Sequence, residues 1–212
     1  MIVLGGMIGL GKTTTATMLG ERLNVPVYYE SVDDNRILPY YYQASPSDQL
    51  KYRYPFLLQL AFLKSRYSQV RLASKQKEAV LDRSIYEDAY FIEKNMEMGR
   101  MSQTEAEVYK NLFNELMEEN GGVHKKAPEV MVYLTGPFEL ALERIRRRGR
   151  SIEMGKETEK YLRFLYEGYD NWFYSSYKAS PSIVVDVSKR KVNDDFEDQE
   201  WLLSEIRKYI AR

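Results

Sequence analysis

No cysteine occurs among the 212 residues, which removes disulfides, zinc–thiolate sites and thiol catalysis together and suits a reducing compartment. Histidine is nearly as scarce. His124 stands alone beside Lys125 and Lys126 after Gly121-Gly122, a setting that predicts an exposed loop residue rather than a catalyst. Net charge is also lacking, because 31 lysines and arginines balance 31 aspartates and glutamates. A balanced chain offers no field for duplex nucleic acid or an anionic membrane, and a small-molecule ligand suits it better. Long hydrophobic runs are missing as well: Met1-Ile2-Val3-Leu4 passes straight into glycines, far short of a signal-peptide core or a membrane span. A soluble cytoplasmic protein is expected. With no repeat, low-complexity tract or linker, residues 1–212 are expected to form a single domain around one core.

Tyrosine is the residue in excess, with 18 copies whose amphipathic rings suit a half-buried surface, some of it in reach of ligand. Short apolar runs at Ile2 to Leu4, Val27 to Tyr29, Ala79 to Leu81, Val130 to Leu134 and Ile183 to Val187 predict buried strands. Helical spacing separates them, and strand–helix–strand alternation means an α/β fold with a parallel sheet covered on both faces. Residues 55–72 carry Phe56, Leu60, Leu63 and Val70 on one helical stripe. Ser102-Gln103-Thr104-Glu105 predicts a capping box ahead of Val108, Leu112 and Leu116, with Gly121-Gly122 as the stop. Pro137 suits the first turn of a helix that buries Phe138, Ala141, Leu142 and Ile145. The charged, glycine-free stretch 188–200 is expected to be a loop.

Gly6-Met7-Ile8-Gly9-Leu10-Gly11-Lys12-Thr13 fits the pattern G-x-x-x-x-G-K-[ST], between a strand and a helix with Met18, Leu19 and Leu23 on one side. The glycines let backbone N–H groups curl around a polyphosphate at the positive end of a helix. The lysine reaches the terminal phosphates and the threonine hydroxyl ligates Mg²⁺. Gly6, Gly9, Gly11, Lys12, Thr13 and Thr14 are therefore the candidate ATP contacts. The chain has neither an Asn-Lys-x-Asp guanine reader nor an Asp-x-x-Gly switch, which favours a kinase over a GTPase.

Glu30 follows the second apolar run and so falls at the carboxyl end of a strand, where ligands of an open α/β sheet gather. A carboxylate there can relieve an acceptor hydroxyl of its proton. Asp82-Arg83-Ser84 follows the third run. The aspartate can hold Mg²⁺ or its water, while the arginine fork can bridge Glu30, the acceptor and the developing phosphoryl charge. Arg144 to Arg150 places five arginines in seven residues at a glycine-flexed helix end. That is the composition of a lid, spanning about 144–156, that closes over ATP phosphates with Arg144, Arg148 and Arg150.

Taken in order, Gly6 to Thr13, Tyr29 to Asn35, Phe56-Leu57-Leu58-Gln59, Asp82 to Asp88, and Arg144-Ile145 with Arg148-Gly149-Arg150 and Glu153 resemble the deoxynucleoside kinases, particularly the bacterial deoxyadenosine and deoxyguanosine kinases. The resemblance implies a P-loop kinase with a five-stranded parallel sheet, flanking helices and an arginine-rich lid, usually a homodimer, that phosphorylates the 5′-hydroxyl of a deoxynucleoside with ATP and Mg²⁺. It implies Glu30 as base, Arg83 as its assistant and Lys12 at the phosphates, with Thr13 and Asp82 toward the metal. Gln59 and Asp88 would hydrogen-bond the nucleobase with Arg66 near it, and Tyr42 and Glu153 would hold the 3′-hydroxyl. Arg144 and Phe196 would flank the adenine of ATP. Tyr40-Tyr41-Tyr42 offers three candidates for the sugar contact, and 44–50 is longer than the family pattern.

Two other readings are open. A thymidylate-kinase-type nucleoside monophosphate kinase shares the P-loop, the Asp-Arg pair and the lid, but carries an acid within its P-loop where this chain has Ile8 and an aromatic where it has Ser84. A non-catalytic nucleotide sensor would leave Glu30 and Arg83 without a task.

Overall fold

The computed structural model describes residues 1–30, 35–118, 127–150 and 155–210. Its centre is β1 (Ile2–Gly6), buried along its whole length. Around it lie β3 (Val80–Leu81) on one side and β4 (Val130–Thr135) on the other, with β2 (Val27–Tyr28) and β5 (Ser182–Asp186) at the edges, in the order β2-β3-β1-β4-β5. Every pairing is parallel, with Ile2 opposite both Val80 and Val130. A parallel sheet must be covered on both faces, and this explains why β1, β3 and β4 read as continuous apolar runs.

Because all strands run the same way, their carboxyl ends open on one rim. The β1 end releases the glycine-rich loop into α1 (Lys12–Leu23), the β2 end leads to Glu30, and the β3 end leads to Asp82-Arg83. Two short helices, α2 (Leu38–Gln43) and α3 (Pro46–Lys51), follow; Ser45 caps α3 by accepting the Asp48 N–H, and Pro46 takes its first position. The long α4 (Tyr54–Ala73) buries Leu58, Gln59, Leu63, Arg66 and Val70. After β3 a 3₁₀ turn (Ile85–Glu87) runs directly into α5 (Asp88–Glu97), and α6 (Gln103–Met117) begins at the expected box, where Ser102 accepts from the Glu105 N–H and Glu105 accepts from the Ser102 N–H. Beyond β4 lie α7 (Phe138–Arg148) and α8 (Lys156–Ser176), and α9 (Phe196–Ile210) follows β5. Tyr169 and Phe173 of α8 are buried against the sheet, with the Phe173 ring stacked 3.6 Å from Tyr133 of β4, and Trp172 is buried against Tyr90 of α5.

Three local expectations need correction or placing. Pro137 is the N-cap of α7 with extended ψ (142°) rather than a first-turn residue, because its carbonyl already accepts the Ala141 N–H. The stretch 188–200 is loop only as far as Asp195. That carboxylate accepts the Asp198 N–H at 3.0 Å and starts α9, whose Leu202, Leu203 and Ile206 are buried. Helix α6 ends at Met117, and Gly121-Gly122 and His124 lie outside the described residues.

Candidate active site

The glycine-rich loop has the geometry its sequence promises. Gly9 and Gly11 have φ of 89° and 96°, and a Cβ on Gly9 would meet the Ala141 carbonyl oxygen at 2.5 Å, so the loop is both left-handed and closely packed against α7. Lys12 is buried, its Nζ donating to the carbonyls of Gly6 (2.7 Å) and Met7 (3.1 Å). Burial, with Arg83 nearby, lowers its pKa to about 8 against the supporting charges of Glu87, Glu30 and Asp82.

Thr13 donates its hydroxyl to Asp82 Oδ2 at 2.6 Å. The other oxygen of Asp82 is buried with no protein partner among the described residues, and burial pushes this carboxyl up to about 6 against the Thr13 bond and the Lys12 charge. A hydroxyl and an under-coordinated carboxylate at a phosphate loop fit Mg²⁺, which takes one or two protein oxygens and completes its shell with phosphate and water. Among the described residues no cluster of three or more acidic or histidine side chains exists to form an all-protein cage.

Glu30 lies between two arginines. Arg66 donates to its Oε1 at 2.5 Å and Arg83 stands 3.7 Å away. Burial favours the neutral acid, but the charges of Arg83, Arg66 and Lys12 outweigh it and hold the carboxyl down at about 2. Arg66 also donates to Asp88 Oδ1, and Tyr109 donates to Asp88 Oδ2 at 3.0 Å. Each oxygen of Asp88 thus has a protein donor, and at 0 % exposure the residue is not among those lining the cavity. The Arg66 and Arg83 guanidiniums rest on the rings of Phe62 (4.6 Å) and Phe91 (4.5 Å), which fix their planes.

One cavity of about 710 Å³ unites these groups. It runs from Gly9, Gly11, Lys12, Thr13 and Thr14 past Glu30, Asp82 and Arg83 to Gln59 and Arg66. The Gln59 amide is buried and makes no hydrogen bond with the described residues, so its donor and acceptor both remain for a ligand. Among the three tyrosines, Tyr41 and Tyr42 line the cavity, whereas Tyr40 is 55 % exposed and stacks outward on Tyr54.

The family model for deoxynucleoside kinases matches residues 2–211. The chain belongs to the deoxynucleoside kinase family. It is 37% identical over 209 residues to a deoxyguanosine kinase of Lactobacillus acidophilus, covering 97% of this chain and 89% of that one. A deoxyadenosine kinase of the same organism is 36% identical, over 97% and 94%. The fold matches a solved deoxyadenosine kinase from M. mycoides with dCMP and dCDP bound, at TM-score 0.78 and 24% identity, over 98% of each chain.

Several residues of this deoxynucleoside kinase site escaped sequence reasoning. Arg147 lines the cavity with Arg144, Arg148 and Arg150, so four of the five arginines of residues 144–150 do; Arg144 donates to the Leu10 carbonyl at 3.1 Å. Asn193 and Asp194 also line the cavity, Asn193 beside Gly11 and accepting from the Thr15 hydroxyl at 2.8 Å. Tyr161 of α8 meets Tyr41 hydroxyl to hydroxyl at 2.7 Å. Phe196, expected beside the adenine, is 68 % exposed under Arg22 and is not among the lining residues. Glu153 and residues 31–34 lie outside the described residues.

Proposed function

We propose that this kinase transfers the γ-phosphoryl group of ATP to the 5′-hydroxyl of a purine deoxynucleoside, deoxyadenosine slightly ahead of deoxyguanosine, as a step of cytoplasmic nucleotide salvage. The observation that carries the proposal is the continuity of one cavity, with the phosphate loop at one end, an unpaired buried amide at the other and a carboxylate between two arginines in the middle. The relatives named above, acting on deoxyguanosine and deoxyadenosine, support the purine. In this reading Glu30 takes the proton from the 5′-hydroxyl as that oxygen bonds to phosphorus, and the bond to the β-phosphate oxygen breaks with its electron pair leaving on ADP. Arg83 and Lys12 stabilise the charge of the transferring group. Thr13 and Asp82 would hold Mg²⁺, which neutralises phosphate charge when bound.

Gln59 and Arg66 face the nucleobase, and Asp88 acts through Arg66 by fixing its orientation. Tyr42, with Glu153, holds the sugar; Arg144, Arg148 and Arg150 close over the donor, whose base lies toward Asn193 and Asp194, with Phe196 at the outer edge. The exposed Val108 and Leu112, one turn apart on α6, support a homodimer. None of the described helices is long and apolar enough to cross a membrane. The test is kcat/KM for deoxyadenosine, deoxyguanosine, deoxycytidine, thymidine and thymidine monophosphate, in the parent and in Gln59→Ala. A lost hydrogen bond to a buried base edge costs about 1–3 kcal/mol, so the preferred purine should lose roughly tenfold to a hundredfold, and weak substrates less. A parent that prefers thymidine or the monophosphate overturns the proposal.

A further inference from the structure

Glu87 has no place in the chemistry above, yet it is a carboxylate with 0 % exposure next to the reacting groups. It closes a capping box at the 3₁₀ turn, where Ser84 accepts the Tyr86 N–H at 3.2 Å and Glu87 Oε2 accepts the Ser84 N–H at 3.0 Å. A cap explains one oxygen, and a neutral glutamine serves that purpose equally well. The second oxygen has long-range partners. Glu87 Oε1 accepts the Gly6 N–H at 2.9 Å, across 81 positions of sequence, and also the hydroxyl of Tyr169 on α8.

Three donors converge on two oxygens, and only an acceptor-only group can satisfy them all. Each donor belongs to a different part of the site. Gly6 opens the phosphate loop, and its carbonyl accepts from Lys12 Nζ at 2.7 Å. Ser84 follows Arg83, the residue 3.7 Å from Glu30. Tyr169 belongs to the helix that comes after the lid segment, and its ring is locked by Tyr90 at 4.8 Å. We infer that Glu87 is a positioning residue for phosphoryl transfer, tying the start of the phosphate loop, the Asp82-Arg83 segment and α8 into one frame that sets Lys12 and Arg83 relative to each other. The inference rests on the kinase reading of the site, since it is that reaction for which Lys12 and Arg83 must be co-located.

Glu87→Gln is the decisive variant. It keeps the length, but its single oxygen can accept from only one of the two backbone N–H donors while its NH₂ group faces the other, so either the Gly6 bond or the Ser84 cap is lost and that segment must shift. A misplacement of about 1 Å at reacting groups costs on the order of a hundredfold. The expected result is kcat reduced by about tenfold to a hundredfold, with KM for the deoxynucleoside changed by less than about threefold, at unchanged far-ultraviolet circular dichroism. Amide exchange should accelerate at whichever of Gly6 and Ser84 loses its acceptor. Tyr169→Phe keeps the ring and removes one donor, and should fall between parent and Glu87→Gln in kcat. Parental kcat in folded Glu87→Gln overturns the inference, as does a loss that appears only as unfolded protein while the folded fraction turns over normally. Where Glu87→Gln does not fold, Tyr169→Phe decides, and an unchanged kcat there overturns it. A parent inactive on every deoxynucleoside would sink the assigned reaction instead, and amide exchange at Gly6 and Ser84 would still judge Glu87 separately.

Discussion

At the scale of single residues, the site turns on Glu30 and the two guanidiniums around it. Its position after an apolar run made it visible in the sequence, as did the equivalent positions of Asp82 and Arg83, because the carboxyl ends of parallel strands share one rim. The hold that Arg66 has on it was not visible, since helix α4 had to be placed first. In the proposed reaction Glu30 is the proton acceptor, so Glu30→Gln should lower kcat by about two to four orders of magnitude while ATP still binds. It should also alter acid stability. The folded carboxyl titrates at about 2 against an ordinary 4.5, so its ionised form stabilises the fold fully above about pH 4.5, and that contribution is lost as pH falls toward 2. Urea midpoints of parent and Glu30→Gln, followed from pH 6 downward, should therefore converge as the pH falls. A constant gap would remove the arginine pairing from the account. Glu87 shows the limit of reading residues singly. Ser84-x-x-Glu87 has the same form as Ser102-x-x-Glu105, yet the partners that give it meaning, Gly6 and Tyr169, lie 81 and 82 positions away.

Among the elements, those with a strong period were legible and those without it were not. The strands and the starts of α4, α6 and α7 appear where apolar spacing put them, within the one or two residues by which helix ends vary. The two edge strands are not the buried runs expected, since β2 is half-buried and β5 alternates exposed and buried residues, and α6 stops at Met117, short of the expected Gly121-Gly122. The start of α9 was missed because the charges of 188–195 continue into its first turn, where Glu197 and Asp198 complement the helix dipole and look like loop. Between Tyr40 and Tyr54 the helices are six residues each, too short for a period to show, so only the fold could turn Tyr40 outward and Tyr41 inward. The clearest elemental forecast concerns α6. Ser102 satisfies the Glu105 N–H at 3.3 Å, and Glu105 both returns the bond at 2.8 Å and pairs with Arg53. Ser102→Ala should cost about 0.5–2 kcal/mol, read as a lower urea midpoint with unchanged slope. Its kcat should stay at the parental value, because α6 supplies no residue to the cavity wall; a fall in kcat without a fall in stability would contradict that separation.

At the scale of the whole molecule, the proposed reading seats both substrates in the same cavity of the described residues, and this has a regulatory consequence. Its volume of about 710 Å³ lies within the range of sites that enclose a single drug-sized ligand, and both ends are polar: the phosphate loop at Lys12 and Thr13, and the Gln59 amide with Arg66. A deoxynucleoside triphosphate joins the two chemistries in one molecule. With its base against Gln59 and Arg66, its phosphates would run toward the loop in the direction opposite to those of ATP, so it would exclude the acceptor and the donor together. In that reading such a triphosphate should thus inhibit the kinase, competing with both substrates because one molecule occupies both subsites. Initial rates at several dATP or dGTP concentrations, with ATP and deoxyadenosine each varied in turn, test the arrangement. Raising either substrate should relieve the inhibition, and Gln59→Ala should weaken it by a factor close to its effect on kcat/KM for deoxyadenosine, because the same base edge is read in both complexes. Inhibition that persists at saturating deoxynucleoside would place the triphosphate in the donor orientation and break the proposed link between the two ends of the cavity.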